Sequence, residues 1–201
     1  MDVLSNLPNA TIYLEATASD WESAQRTASH LRYMGIAKVR GFMLNVTHFD
    51  WTANNIAYGK KVSRLVGGKP FIVSTSNNGR GPVHYKAQVS KHVWRRINVY
   101  CNPQLRGLGP SPTTNTGDPK VDAFLWIGRA GMSGAGACNG APAKAGTWWP
   151  ERALMFAKYA TNWRRPPRGT QFGIKGHVSL CRLGAPVGGK YSYSSPERHC
   201  R

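Results

Sequence analysis

The sequence predicts an α/β fold with parallel strands, and three observations support this prediction. Short apolar runs typical of strands alternate with longer segments whose apolar residues recur at helical spacing. The segments between consecutive strands are long enough for parallel crossovers. The composition agrees, because 41% hydrophobic residues in a chain of 201 suffice for a sizeable core, and 22 glycines with 13 prolines favour a loop-rich protein over a helical bundle.

The first part of the chain predicts a β-α-β-α-β series. Strands are expected at residues 11–16, 39–46 and 70–76. Two helices are predicted between them, at residues 19–36 and 52–68. The first would begin at an N-cap, Ser19 or Asp20, and Gly35 suits its end.

The second part has fewer regular elements. Residues 77–120 are mostly loop, although residues 85–100 predict a basic helix or a hairpin. A fourth strand is predicted at residues 121–127 and a third helix at residues 150–163, with a proline near its first turn. Four strands and three helices make about half of a closed eight-unit barrel, which typically needs about 250 residues. We therefore predict a partial, truncated barrel.

The predicted barrel domain covers residues 1–162, and a basic tail covers residues 163–201. The tail contains eight Lys or Arg, one acid and little periodicity in its apolar positions. We expect this segment to be irregular and solvated.

The net charge of +18 is concentrated in the second part of the chain. Residues 1–79 carry eight Lys or Arg against five acids, whereas residues 80–201 carry nineteen against four. Such an excess suits a polyanion partner. A nucleic-acid module, however, interleaves basic and aromatic residues on one folded face, and the aromatic residues of the tail are too sparse for that. The sequence therefore does not favour a nucleic-acid partner.

The four cysteines, Cys101, Cys138, Cys181 and Cys200, lack the spacing of a metal site. We expect no zinc site, and one or two disulfides are open. No run reaches the roughly 18 apolar residues of a membrane span. The first residues lack the charged and apolar regions of a signal peptide, so we expect neither a membrane partner nor an export signal in this sequence.

Five segments form an ordered set of motifs. They are YLEATASDW (13–21), RGFMLNVTHFDWT (40–52), AYGKKVSRLVGGKPFIVSTSNNGRGP (57–82), YCNPQLRGLGPSPTTNTGDPKVDAFLWI (100–127) and CNGAPAKAGTWWPERAL (138–154). Together they resemble glycoside hydrolase family 6, especially its bacterial endo-β-1,4-glucanases. The resemblance implies a distorted α/β barrel that cleaves β-1,4-glucan with inversion, in a cleft at the carboxyl ends of the strands, without metal or organic cofactor.

The resemblance also shows that charged catalytic positions of the family are replaced here. Where the family reads WIKRPGESDG, this chain reads WIGRAGMSGAG, so Gly128 replaces the Lys, Met132 the Glu, and Gly134 the Asp usually proposed as the base or as its support. The family's DTSRNG is STSNNG here, with Ser74 for the Asp and Asn77 for the Arg. In the family this Arg interacts with the Asp that Gly134 replaces. Loss of both charges together is tolerated more easily than loss of one, since an unpaired buried charge costs several kcal/mol.

Glu15 stands at a further catalytic position, where the family has Asp, and Ala18 replaces a substrate-binding His. The family's general acid has no counterpart in this sequence. Loss of an acid or a base typically lowers the rate by about 10²-fold to 10⁴-fold each. We therefore expect little hydrolysis by this chain alone.

The glucan-binding positions are better kept. By resemblance, Trp21 is a stacking platform, Asn45 a polar substrate contact and Tyr100 a second platform. Ordinary core packing is the alternative for Trp21, which falls on a predicted helix.

Other aromatic and acidic residues favour structural roles. Core or barrel packing is predicted for Trp51, Trp148 and Trp149. For Asp118 and Asp122, in the run GDPKVD, we predict structural roles as caps or in loop hydrogen bonds. The alternative is that one of them acts as a substitute catalytic base.

The resemblance implies a disulfide between Cys101 and Cys138, and leaves a bridge between Cys181 and Cys200 open. Half a barrel exposes strand edges, which pair with other chains. We therefore expect a partner chain that supplies the missing half of the barrel. The expected ligand is β-1,4-glucan or a cello-oligosaccharide.

A non-catalytic glucan-binding remnant is the alternative function, and a basic polyanion-binding protein is a third.

Overall fold

The structure is a computed structural model that describes residues 2–128, 130–134, 137–142 and 144–161. Its six strands are β1 (Tyr13–Glu15), β2 (Gly41–Leu44), β3 (Phe71–Ser74), β4 (His84–Ser90), β5 (Val93–Asn98) and β6 (Val121–Leu125). The four apolar strands form one parallel sheet in the order β1-β2-β3-β6. The predicted α/β class with parallel strands is confirmed, and the sheet is open within the described residues.

The helices are α1 (Asp2–Ser5), α2 (Ala24–Tyr33), α3 (Thr52–Leu65) and α4 (Pro150–Lys158). The predicted start of α2 at residue 19 or 20 is wrong, because Ser23 is the N-cap and its hydroxyl accepts from the Arg26 amide. The Ser19 and Asp20 side chains are instead bonded to Asp50 and His48. None of the helices in these ranges is long and apolar enough to cross a membrane.

The hydrophobic core lies between the sheet and the helices α2 and α3. Alternate strand residues point to it, which is why Phe42 and Phe71 from neighbouring strands stack with ring centroids 5.2 Å apart. Gly59 of α3 sits against the Phe71 ring, where a Cβ would overlap the ring. The absence of a side chain at this position lets α3 approach the sheet closely.

The strands β4 and β5 form an antiparallel hairpin, so the hairpin alternative for residues 85–100 is confirmed and the helix is not. Its exposed side chains include most of its Lys and Arg. The hairpin root is held by Arg106, whose guanidinium donates to the carbonyls of Arg80 and Gly81 at 2.7 Å each. Burial lowers the pKa of Arg106 to about 10, so the group stays protonated at neutral pH.

The polar residues of the GDPKVD run have structural partners. Asp118 accepts from the Lys120 amide at 3.0 Å and pairs with Lys60 at 2.5 Å. Asp122 forms two hydrogen bonds of 2.9 Å with the Arg40 guanidinium. Both carboxylates therefore act in the scaffold, as predicted.

Of the two environments predicted for Trp51, Trp148 and Trp149, core or barrel packing, the core is wrong for Trp51 and Trp148. Trp51 is 49% exposed and lies against Gly81, and Trp148 is 58% exposed. Trp149 is half-buried, with the Arg152 guanidinium 5.7 Å from its ring centroid.

The disulfide between Cys101 and Cys138 is present, with the Cα atoms 6.1 Å apart. It joins the segment after the hairpin to the loop that follows β6. The predicted tail, including Cys181 and Cys200, lies outside the described residues, so the boundary at residue 162 stays a prediction.

Candidate functional site

The candidate site lies at the carboxyl ends of β1 and β2, where the chain enters the loops before α2 and α3. Its hub is Asp20. One carboxylate oxygen is 2.8 Å from Nδ1 of His48, and the other accepts from the Asn98 amide at 2.8 Å. The Tyr100 hydroxyl donates to the Asp20 carbonyl at 3.1 Å. Two loops and the hairpin root are thereby fixed to one acidic residue.

Three aromatic rings pack beside this hub. The Trp21 ring meets His48 edge to face at 5.3 Å and Tyr100 at 5.4 Å between centroids, and the His48 and Tyr100 rings are 4.6 Å apart. Trp21 is 61% exposed, and it lies in the turn before α2 rather than on the helix predicted for it. Core packing is therefore wrong for Trp21. Burial raises the pKa of Tyr100, whose hydroxyl stays protonated at neutral pH.

A second carboxylate, Asp50, lies below the same region. It is 6% exposed, and its oxygens accept from the Ser19 hydroxyl at 2.5 Å, the Trp51 amide at 2.9 Å and the Asn54 side chain at 2.9 Å. These donors offset the cost of burying the charge. The carboxylate is thus held in a fixed position by the start of α3.

Asn45 supports Asp50 from the end of β2. Its side-chain amide donates to the carbonyl of Ser74 at 3.0 Å and of Asp50 at 3.4 Å. Its backbone is left-handed, with φ of 66°, a conformation that asparagine adopts more readily than most residues. Asn45 is 1% exposed, and its Oδ1 has no hydrogen-bond partner among the described residues.

A cavity of about 410 Å³ opens between these loops and the hairpin root. The carboxylates Asp20 and Asp50 line it together with Trp51. His84 and Arg96 also line it, and the Arg96 guanidinium is 2.6 Å from Nδ1 of His84. Burial and the nearby Arg96 charge lower the pKa of His84, so the neutral imidazole accepts this hydrogen bond. No group of His, Cys, Asp and Glu in the described ranges could hold a metal ion.

A family model for glycosyl hydrolases family 6 matches residues 1–160. This chain belongs to that family. Endoglucanase A of Cellulomonas fimi is 38% identical to this chain over 154 residues, which are 77% of this chain and 31% of the relative. Endoglucanase 1 of Streptomyces halstedii is 33% identical over 154 residues, 74% of this chain and 43% of the relative. The chain thus spans about a third to two fifths of the length of these relatives.

Solved structures of family 6 share the fold. The endoglucanase Cel6 from Mycobacterium tuberculosis, in complex with methyl-cellobiosyl-4-deoxy-4-thio-β-D-cellobioside, matches with a TM-score of 0.67 and 37% identity over 79% of this chain and 50% of that one. The Orpinomyces sp. Y102 enzyme matches with a TM-score of 0.64 and 28% identity, over 78% of this chain and 52% of that one. The open sheet therefore corresponds to part of the family 6 barrel fold. The chain is related to the cellulases of this family.

Two of the replaced family 6 positions lie together. The Gly128 amide donates to the Ser76 hydroxyl at 3.0 Å, and a Cβ at Gly128 would meet Ser76, the Val46 carbonyl and Asn77. Asn77 is 8% exposed, and its amide donates to Val46 at 3.2 Å. Neutral side chains therefore fill the space beside Gly128.

Two further replaced positions, Gly134 and Glu15, lie elsewhere. Gly134 is exposed and donates its amide to Oδ1 of Asn102 at 2.6 Å, beside the disulfide. Glu15 is exposed at the end of β1.

Four residues of the site were not predicted from the sequence, namely Asp20, His48 and Asp50, which lie in the motifs, and Asn98, which lies outside them. The first three follow the ends of β1 and β2 directly, and position after a parallel strand was the signal that could have identified them. Asn98 gave no such signal, because its role depends on the folding of the hairpin.

Proposed function

We propose that this chain binds β-1,4-glucan in the cleft at the carboxyl ends of β1 and β2. The observation that carries the proposal is the 61% exposed Trp21 ring, fixed edge-on by His48 and Tyr100 beside a polar cavity. A sugar face gains apolar contact on such a ring, and polar groups nearby orient its hydroxyls. The cello-oligosaccharide analogue in the Mycobacterium tuberculosis relative supports this ligand class.

We assign the three predicted binding residues different tasks. Trp21 and Tyr100 would contact the sugar rings. Asn45, being 1% exposed, would hold Asp50 at the cleft floor, so that Asp20 and Asp50 accept hydrogen bonds from glucan hydroxyls.

We further propose that the chain alone does not hydrolyse the glucan it binds. Inversion needs one carboxyl group to protonate the leaving oxygen and another to activate water. At the family's base-side positions this chain has Gly134, which offers no carboxylate, and Asn77, which is neutral and bonded to Val46. Glu15 is the one catalytic position that keeps a carboxyl group.

Binding is tested by calorimetry with cellohexaose. Trp21→Ala should weaken binding by about fivefold or more, since aromatic truncation at a binding centre typically costs above about 1 kcal/mol. Tyr33→Ala, at a 94% exposed aromatic of α2, is the matched control and should bind like the parent chain. Equal affinity of all three proteins would contradict the proposal.

Hydrolysis is tested by measuring new reducing ends from hydroxyethyl cellulose. We expect no increase above a blank. Turnover that disappears in Glu15→Gln, Asp20→Asn or Asp50→Asn would show that the chain hydrolyses glucan and would identify the group responsible.

A further inference from the structure

The hairpin β4–β5 carries a concentrated positive charge. Residues 84–98 contain four Lys or Arg and no Asp or Glu. Lys86, Trp94, Arg95 and Arg96 line a cavity of about 570 Å³, and the Trp94 side chain is 54% exposed. An exposed indole ring beside cationic groups in one recess offers a ligand both a ring face for apolar contact and charges for ionic contact.

The strand register places like charges directly opposite each other. Lys86 pairs with Arg96, and Gln88 pairs with Trp94. Because side chains alternate along a strand, these four residues share one face of the hairpin. Like charges in a cross-strand pair destabilise a hairpin. An anionic ligand that bridges Lys86 and Arg96 would remove that cost.

This basic face is continuous with the glucan cleft. The pair His84 and Asn98 forms the hairpin root, and Asn98 donates to Asp20 in the cleft. Arg96 lines both the cleft cavity and the hairpin cavity. From the root pair to Trp94 the face extends four residues, or about 13 Å at roughly 3.3 Å per residue.

We propose that the basic face is a subsite for carboxylate groups of an acidic β-glucan. A chain leaving the cleft would continue over the hairpin, where Lys86 and Arg96 bind its carboxylates and Trp94 contacts a sugar ring. This inference rests on the proposed glucan binding and adds carboxylated glucan as the preferred substrate class. A nucleic acid, charged at every unit, would meet Asp20 and Asp50 in the adjoining cleft, whereas a glycan with spaced carboxylates suits both regions.

The test compares two polymers with the same backbone, neutral hydroxyethyl cellulose and anionic carboxymethyl cellulose. In affinity electrophoresis at low salt, the full chain should bind the anionic polymer about threefold to thirtyfold more tightly, given the strength of one or two exposed charge pairs. Lys86 lines only the hairpin cavity, so Lys86→Gln should reduce this preference and leave binding of the neutral polymer unchanged. Lys61→Gln, at an exposed position of α3, removes the same charge and should keep the preference.

Equal binding of the two polymers by the parent chain would overturn this inference and leave the proposed function standing. Failure to bind the neutral polymer would contradict the proposed function instead. Loss of the preference in the α3 control would also overturn the inference, because it would show a general charge effect. The same holds if an oligothymidylate displaces carboxymethyl cellulose at a lower concentration than carboxymethyl cello-oligosaccharides do.

If the hairpin variant does not fold, the inference is tested instead by the salt dependence of the parent chain's preference for the anionic polymer. A preference that rests on exposed charges must vanish by about 0.5 M salt, where the screening length is only a few ångström. A preference that persists at that salt concentration would overturn the inference.

Discussion

The Tyr13 hydroxyl lies 2.5 Å from a carboxylate oxygen of Asp122, although the two residues belong to opposite edge strands of the sheet. Strands in a flat sheet are about 4.8 Å apart, so β1 and β6 would be about 14 Å apart across three spacings. The contact therefore requires the sheet to curl toward one face. Arg40, just before β2, completes the link by binding the same carboxylate.

This link predicts a specific loss of stability in acid. The Arg40 guanidinium holds the pKa of Asp122 below its usual value. The carboxylate thus contributes stability above about pH 4, the unfolded pKa, and the contribution is lost as pH falls through the folded pKa. Urea unfolding of Asp122→Asn should show a lower midpoint than the parent at neutral pH and a smaller further decrease in acid. Parallel pH profiles of the two proteins would contradict this.

The disulfide should contribute measurably to the free energy of unfolding. Its cysteines are 37 residues apart, for which chain entropy predicts about 4 kcal/mol. The double change Cys101→Ser and Cys138→Ser should lower the free energy of unfolding by about 2 to 4 kcal/mol. Reduction of the parent chain by dithiothreitol should also lower its free energy of unfolding. A double variant as stable as the oxidised parent would refute the prediction.

The glycines at two replaced catalytic positions should respond differently to substitution. A Cβ at Gly128 would collide with the Val46 carbonyl and the Ser76 hydroxyl, whereas at Gly134 the nearest atom is Oδ1 of Asn102 at 3.1 Å. Gly128→Ala should therefore destabilise the fold by about 1 to 3 kcal/mol, as overpacking does. Gly134→Ala should stay within about 1 kcal/mol of the parent. Thermal unfolding of both variants measures this, and the reverse order would be inconsistent with the packing around Gly128.

Asn45 allows backbone strain to be separated from hydrogen bonding. Asn45→Gly removes the side-chain bonds to Ser74 and Asp50 but keeps the left-handed backbone accessible. Asn45→Ala removes the same bonds and adds strain of about 1 to 2 kcal/mol. We expect the alanine variant to be less stable than the glycine variant by about that amount. Chemical unfolding of the pair measures the difference, and equal stability would mean that the loop changes its conformation.

The regular elements could be predicted from the sequence because their signals are local. Apolar runs located all four parallel strands, and helical spacing located α3 almost to its ends. The start of α2 was wrong because the side chains of Ser19 and Asp20, both good N-cap types, are bonded to Asp50 and His48. A residue's preference for a helix end does not reveal a competing partner elsewhere in the chain.

The candidate site was predictable only in part for the same reason. Motif positions identified Trp21 and Tyr100, and the structure brings their rings together. The role of Asp20 depends on His48 from the next loop and on Asn98 from the hairpin root, and these contacts form only when distant segments fold together. Exposure of Trp51 and Trp148 likewise depends on which segments cover them. The residue type alone therefore favoured the core for two side chains that are exposed.

The buried guanidinium of Arg106 has a mechanical consequence for the hairpin. It binds two successive carbonyls just before β4, so the root is clamped while the tip projects. A hairpin fixed at its root keeps one orientation relative to the parallel sheet. A long polymer would then contact the hairpin in one orientation, without a prior loop closure.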